Sequence, residues 1–135
     1  MTAELDYAFL AEYAKTERGT ITAIGASFTE ARADSFPGVV DIAVAGRVRR
    51  PENTDAPELS ISIGGPSDNG DPQIEFDFKL ENEDDAVRYD GKVASVFVFR
   101  GPIYIAEPGL YECNISIDGQ LARRLAFEVI SQDAE

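Results

Sequence analysis

Through much of the chain every second residue is apolar. In QIEFDFKLE (73–81), Ile74, Phe76, Phe78 and Leu80 share one face, and Glu75, Asp77, Lys79 and Glu81 share the other. In ELSISIG, Leu59, Ile61 and Ile63 oppose Ser60 and Ser62. In VVDIAVAGRV, Val40, Ile42, Val44 and Val48 fall on one side with Gly46. A period of two is the pattern of a strand with one buried face, and helical spacing does not fit these segments. KVASVFVFR (92–100) is apolar on both sides, as expected of a strand in the middle of a sheet.

The first segment is the ambiguous one. LDYAFLAEYA (5–14) is rich in Leu and Ala, which favour a helix. Read as a strand, it places Tyr7, Phe9, Ala11 and Tyr13 together. GTITAIGASF after it reads as β. The hairpin reading predicts a loop at Thr16–Gly19, with Ala11 opposite Ile24 and Tyr7 opposite Phe28, because aromatic and β-branched residues pair well across strands. Turn residues recur between such runs: Pro37-Gly38, Gly64-Gly65-Pro66, Asn69-Gly70, Asp90-Gly91, Gly101-Pro102, Pro108-Gly109 and Asp118-Gly119. Short strands at this spacing predict an all-β sandwich or barrel.

The last hairpin sets two rules against each other. Asp118-Gly119 is a strong signal for a two-residue turn. A two-residue loop in a regular ladder would place Cys113 opposite Arg124 and Tyr111 opposite Ala126, splitting the buried set. A three-residue loop, Asp118–Gln120 or Ile117–Gly119, pairs odd positions with odd positions. The first choice sets Ile117 against Leu121, Cys113 against Leu125 and Tyr111 against Phe127. Burying Leu125, Phe127 and Val129 is worth about 1.5–3 kcal/mol each, so the three-residue loop is expected, and Gly119 favours Ile117–Gly119. The opposite face then carries Glu112, Asn114, Ser116, Arg124 and Glu128. Arg123 falls on the buried side beside Ile115 or Cys113, so it belongs where the core opens to water.

Charge changes the functional picture more than the fold. Among 135 residues, 25 are acidic and 12 basic, a net charge of -13. Such a chain is repelled by nucleic-acid phosphates and by anionic membrane surfaces. The same charge suits a basic protein partner, a merely solubilising surface or a salt-adapted source. Length predicts one domain over 1–135. There is no histidine, which removes histidine-based triads, metal sites and general bases. No glycine-rich phosphate loop occurs. Cys113 is the lone cysteine, so no intrachain disulfide forms, and its mid-strand place predicts a buried, inert thiol. Glu4 and Asp6 stand where a signal peptide would be basic, and no apolar run reaches the length of a membrane span; a cytoplasmic location is expected. Asn114-Ile115-Ser116 matches a glycosylation sequon by chance on that reading.

Two acidic loops are the candidate chemistry. One holds Asp68, Asn69 and Asp71, the other Glu83, Asp84 and Asp85, with Asp90 nearby. Calcium takes six to eight oxygen ligands and is often held by loops at one end of a sandwich, so a calcium- or carbohydrate-binding module is one reading. Paired carboxylates also permit a glycoside hydrolase, but there is no tryptophan and no aromatic platform for a sugar. Arg88 and Tyr89, flanked by acids, form an exposed contact or cover a core edge.

DYAFLAEYA, GTITAIGA and the C-terminal PGLYECNISIDGQ with its following FEV resemble a family of small uncharacterised bacterial proteins with an Asp-Tyr-Ala hairpin at the start and a Gly-x-Tyr, Asp-Gly, Phe-x-Val hairpin at the end. The resemblance implies a β-sandwich and no assigned activity. The expectation is therefore an antiparallel two-sheet β-sandwich, immunoglobulin-like or jelly-roll-like, of about seven to nine strands. Its expected role is that of a non-catalytic interaction or scaffold module without a cofactor. It would bind a protein partner or itself through edge strands and the mixed-charge outer face.

Overall fold

The computed structural model describes residues 3–66, 72–81 and 83–132. Its strands in chain order are β1 (Glu4–Ala11), β2 (Tyr13–Glu17), β3 (Thr20–Ile24), β4 (Glu30–Ala33), β5 (Gly38–Pro51), β6 (Glu58–Gly64), β7 (Ile74–Lys79), β8 (Ala86–Tyr89), β9 (Lys92–Ile105), β10 (Gly109–Ile117) and β11 (Gln120–Ser131). A first sheet has the order β1-β5-β9-β8, a second the order β4-β11-β10-β6-β7, and β2 and β3 form a separate ribbon. Eleven strands exceed the seven to nine expected, because β2, β3, β4 and β8 are only four or five residues long.

The two sheets face each other across the alternating apolar positions. Ile42, Val44, Val48, Phe97, Ile103 and Ile105 come from the first sheet, and Leu59, Ile61, Ile63, Tyr111, Cys113, Ile115, Phe127 and Val129 from the second. β9 pairs with β5 along its whole length on one side and with β8 only over Lys92–Ser95 on the other. Gly46 lies under the Phe97 ring, where a β-carbon would come within 2.7 Å of it. The Tyr111 hydroxyl donates to the Glu107 carbonyl at 2.9 Å, the tyrosine-corner arrangement of immunoglobulin-like sandwiches.

One pair departs from the antiparallel expectation. β4 runs parallel to β11, with Glu30 beside Glu128 and Ala33 beside Ser131. β4 reaches that edge by crossing between the sheets, so no hairpin dictates its direction.

The N-terminal segment is β, but its register differs from the expected one. β2 and β3 join through the two residues Arg18 and Gly19, with φ of 50° and 77°, and Tyr13 pairs with Ile24. Tyr7 sits opposite Arg47, not Phe28. The chain divides at Glu12: the part before it joins the sheet and buries Leu10 and Ala11, while the part after it forms the ribbon. Ala11, Ala14, Ala43 and Ala45 are all fully buried between ribbon and sheet. Such small side chains let the two layers approach closely.

The C-terminal hairpin satisfies both rules at once. Its loop is the two-residue Asp118-Gly119, with φ of 49° and 83° and Ile117 opposite Gln120, which corrects the three-residue expectation. Ser116 faces Leu121 but Ile115 faces Arg123, so Ala122 is an extra residue on β11. This bulge restores Cys113 opposite Leu125 and Tyr111 opposite Phe127. Asp118 also holds the turn against β6: its amide donates to the Glu58 carbonyl at 2.8 Å, and its carboxylate accepts from the Glu58 amide at 2.9 Å. Arg123 is exposed, as its charge demands.

Candidate functional site

The acidic loops do not assemble into one site among the described residues. Asp68, Asn69 and Asp71 lie outside the described residues. Glu83, Asp84 and Asp85 form a 3-10 turn just before β8. Asp90 is in the turn just after β8, with its carboxylate 3.6 Å from Lys92. Four residues of strand put about 13 Å between the two ends, at the usual rise per residue. One ion cannot draw on both, since its ligands must all lie within about 2.6 Å of it. No group of three or more metal-ligating side chains converges among the described residues. Cys113 is fully buried, and desolvation pushes its thiol up to about 12.

The outer face of the first sheet is a different surface. Residues directly paired on adjacent strands share a face. Ala43 and Ala45 lie under the ribbon. Their alternation therefore puts Val39, Asp41, Arg47 and Arg49 of β5 on that outer side. Their partners Tyr104, Pro102, Val96 and Ala94 of β9 lie there too, as does Tyr7 of β1. Tyr89, opposite Lys92, completes the row on β8. The ribbon crosses the middle of this face, its tip at Gly19 resting against Val87.

On one side of the ribbon, the Arg47 guanidinium stands between two aromatic rings, 5.4 Å from the centre of Tyr7 and 5.8 Å from that of Tyr89. Its Nε donates to Asp6 Oδ2 at 2.8 Å, and Nη2 donates to the same oxygen. Asp6 is the extra residue in a bulge between Leu5 and Tyr7. Leu5 packs inward and Tyr7 outward, and the bulge between them leaves Asp6 facing Arg47 on the outer side. The hydrogen bond to Asp6 raises the Arg47 pKa above its ordinary value, and that from Arg49 to Tyr89 does the same for Arg49. Arg49 also donates to Glu4 at 2.9 Å. On the other side of the ribbon, Arg100 lies over the ring of Tyr13 at 4.7 Å. A groove of about 740 Å³ runs there, lined by Glu12, Tyr13, Asp41, Val98 and Arg100.

The opposite outer face, on the second sheet, is polar as expected. Glu112 and Arg124 form an ion pair beside Asn114. A smaller hollow of about 320 Å³ holds Ser62, Glu75, Glu112 and Asn114.

The sequence places Tyr7 and Tyr13 on a common strand face and leaves Tyr89 as either an exposed contact or the cover of a core edge. It does not single out Tyr104, Arg47 or Arg100. Each is a polar-tipped residue on the alternate positions of an otherwise buried strand, and nothing local says that a ribbon would leave that face partly open.

No curated protein matches the chain. Among solved structures, it is similar to an immunoglobulin-like protein from Pseudomonas aeruginosa, with 10% identity over 96% of this chain and 98% of that one and a TM-score of 0.46. A sequence profile matches residues 6–130, from the bulge at Asp6 to the end of the last core strand, and the chain belongs to that family of unknown function, DUF6941.

Proposed function

We propose that this chain is a non-catalytic protein-interaction module whose contact surface is the outer face of the first sheet. One observation carries this reading. Among the described residues, nine large hydrophobic side chains are exposed, and seven of them are on this side: Tyr7, Tyr13, Ile24, Val39, Val87, Tyr89 and Tyr104. Four of the five tyrosines in the chain are in that set, and only Tyr111 is buried. Large exposed apolar patches mark interaction sites, and Tyr with Arg dominates the energetic centres of interfaces. Three rings are already held by cations, Tyr7 and Tyr89 by Arg47 and Tyr13 by Arg100, so less side-chain freedom is lost on binding. The net charge of -13 favours a protein partner over nucleic acid. The lone buried thiol suits a reducing compartment, and the reading places the domain in the cytoplasm.

The test is capture from the native cell by the immobilised full chain, followed by reconstitution with the purified partner. Tyr13→Ser with Tyr104→Ser is expected to weaken that complex at least tenfold while leaving the fold unchanged by circular dichroism. A complex insensitive to these changes and to Tyr7→Ser with Tyr89→Ser would move the contact surface elsewhere. Failure to find any partner, together with strictly monomeric sedimentation, would overturn the module reading.

A further inference from the structure

We propose that the free edge of β5 at Gly38–Ile42 receives an extended, basic segment of a partner polypeptide as an added strand. This rests on the module reading and gives it a docking place and a partner chemistry. β9 pairs with β5 from Gly38 to Pro51, but on the other side β1 stops at Ala11 opposite Ala43. The chain leaves there to build the ribbon, and no described strand occupies the next position along β5.

The direction of the backbone groups on that edge follows from a clasp on the far side of β9. The Gln73 side-chain amide donates to the Tyr104 carbonyl at 2.8 Å and accepts from the Tyr104 amide at 2.9 Å. Tyr104 therefore turns both backbone groups away from β5. In an antiparallel pair its partner Val39 must do the same in the opposite direction, and so must Asp41 two residues on. Both point their N–H and C=O into the vacant strand position. Two of the other open edges are guarded. On the free edge of β9, Pro102 has no amide to offer and the Gln73 clasp occupies Tyr104; β7 carries Glu75, Asp77 and Lys79. Pro and charged residues are the usual protection of an edge strand. Val39 is neither and is 62% exposed, and the single charge on this edge, Asp41, is one that a basic segment would pair.

Beside this edge lies a groove of about 570 Å³ with Phe28, Ala31 and Val40 among its lining and Glu12, Glu30 and Asp41 around it. An added strand would alternate its side chains between this apolar lining and the outer face near Val39 and Tyr13. Arg32 is the cation of the groove, and it is paired with Glu30 at 3.3 Å. Three carboxylates against one arginine select a basic segment. A second copy of this chain, also at -13, would set like charge against like.

The probe is a blocked nine-residue peptide alternating Val with Lys and Arg, titrated into the full chain by fluorescence anisotropy. Its control has the same sequence with alternate amides N-methylated. The expected result is saturable binding of the first and at least tenfold weaker binding of the second. Val39→Pro removes the donor on the open edge and is expected to weaken binding about tenfold; Val39→Thr keeps the amide and is expected to change it less than twofold. Glu12→Gln with Asp41→Asn is expected to lower both the affinity and its dependence on salt. Equal binding by the N-methylated peptide, or by Val39→Pro shown folded by circular dichroism, would overturn the strand-addition inference. So would a dimer that forms without peptide and is broken by Val39→Pro, since the occupant would then be a second copy. A captured partner that is lost with the tyrosine variants but not with Val39→Pro would sink this inference and leave the module reading standing. Absence of any peptide or protein partner would sink both.

Discussion

The guanidinium of Arg100 stands over the ring of Tyr13, 4.7 Å from its centre, tying a strand of the sheet to the base of the ribbon. The two residues are far apart in sequence and meet because Ala14 and Ala43 let the ribbon lie flat on the sheet. An exposed cation–π pair is worth about 0.5–1 kcal/mol. Arg100→Ala is therefore expected to lower stability by no more than about 1 kcal/mol in a urea melt. Arg100→Lys should recover part of that loss, because an ammonium still faces the ring but lacks the planar stacking of the guanidinium.

The alanine layer beneath the ribbon has no room to spare. Ala43 is completely buried among Ala11, Ala14 and Ala45. Ala43→Leu must push the ribbon outward or distort β5, and overpacking of this kind costs about 1–3 kcal/mol. The same change at Ala126, half-buried on the polar outer face, is expected to fall within about 0.5 kcal/mol, as surface changes do. Equilibrium unfolding of the two variants checks the contrast. Equal losses would mean that the ribbon is not packed as described.

Cys113 gives a pH signature of the core. Burial raises its folded-state pKa to about 12 from an ordinary value of 9.0. A raised pKa favours folding while the thiol is protonated in both states. That contribution is complete below about pH 9 and is lost as the pH rises toward 12, because the unfolded chain sheds its proton first. At pH 10 the loss is on the order of 1 kcal/mol, for one pKa interval. Cys113→Ala should remove this part of the alkaline decline while costing some packing at neutral pH. The measurement is the urea midpoint of both proteins at pH 7 and pH 10. In the native protein a thiol reagent should react at the rate of unfolding, not at the rate of a free thiol.

The sequence carried the buried faces further than it carried the connections. Leu59, Ile61 and Ile63 are completely buried, as their alternation with serines requires, and Phe76 and Phe78 pack against the same core. Periodicity reports which side of a strand is wet, and it does so residue by residue. It does not report where a strand changes partners. DYAFLAEYA reads as one strand, yet it divides at Glu12 because its two halves bury against different layers. β4, four residues of EARA, has too little pattern to announce a parallel pairing with β11. The tyrosine face was less legible still. Tyr104 and Arg47 are ordinary alternate residues until the ribbon, a tertiary feature, covers the alanines between them and leaves both at its sides.

The bulge at Ala122 permits the sharpest test of how the last hairpin reconciles its turn with its core. Ala122 is the residue in excess between the pairs Ser116–Leu121 and Ile115–Arg123. Deleting it leaves the Asp118-Gly119 turn intact and keeps Leu125, Phe127 and Val129 on the inner face, so the cost is expected to stay near 1 kcal/mol, the loss of local twist and a few contacts. Deleting Glu128 instead offers no such escape. Holding Phe127 in place turns Val129 outward; straightening the bulge to hold Val129 turns Leu125 and Phe127 outward. Either way at least one large apolar side chain leaves the core, at about 1.5–3 kcal/mol each plus the cavity left behind. Both deletions remove one residue from the same strand. Urea unfolding should therefore show a mild loss for the first and a loss of at least about 3 kcal/mol, or no folded protein, for the second. Similar losses for the two would mean that the pairing of Tyr111 with Phe127 does not set the register of this hairpin.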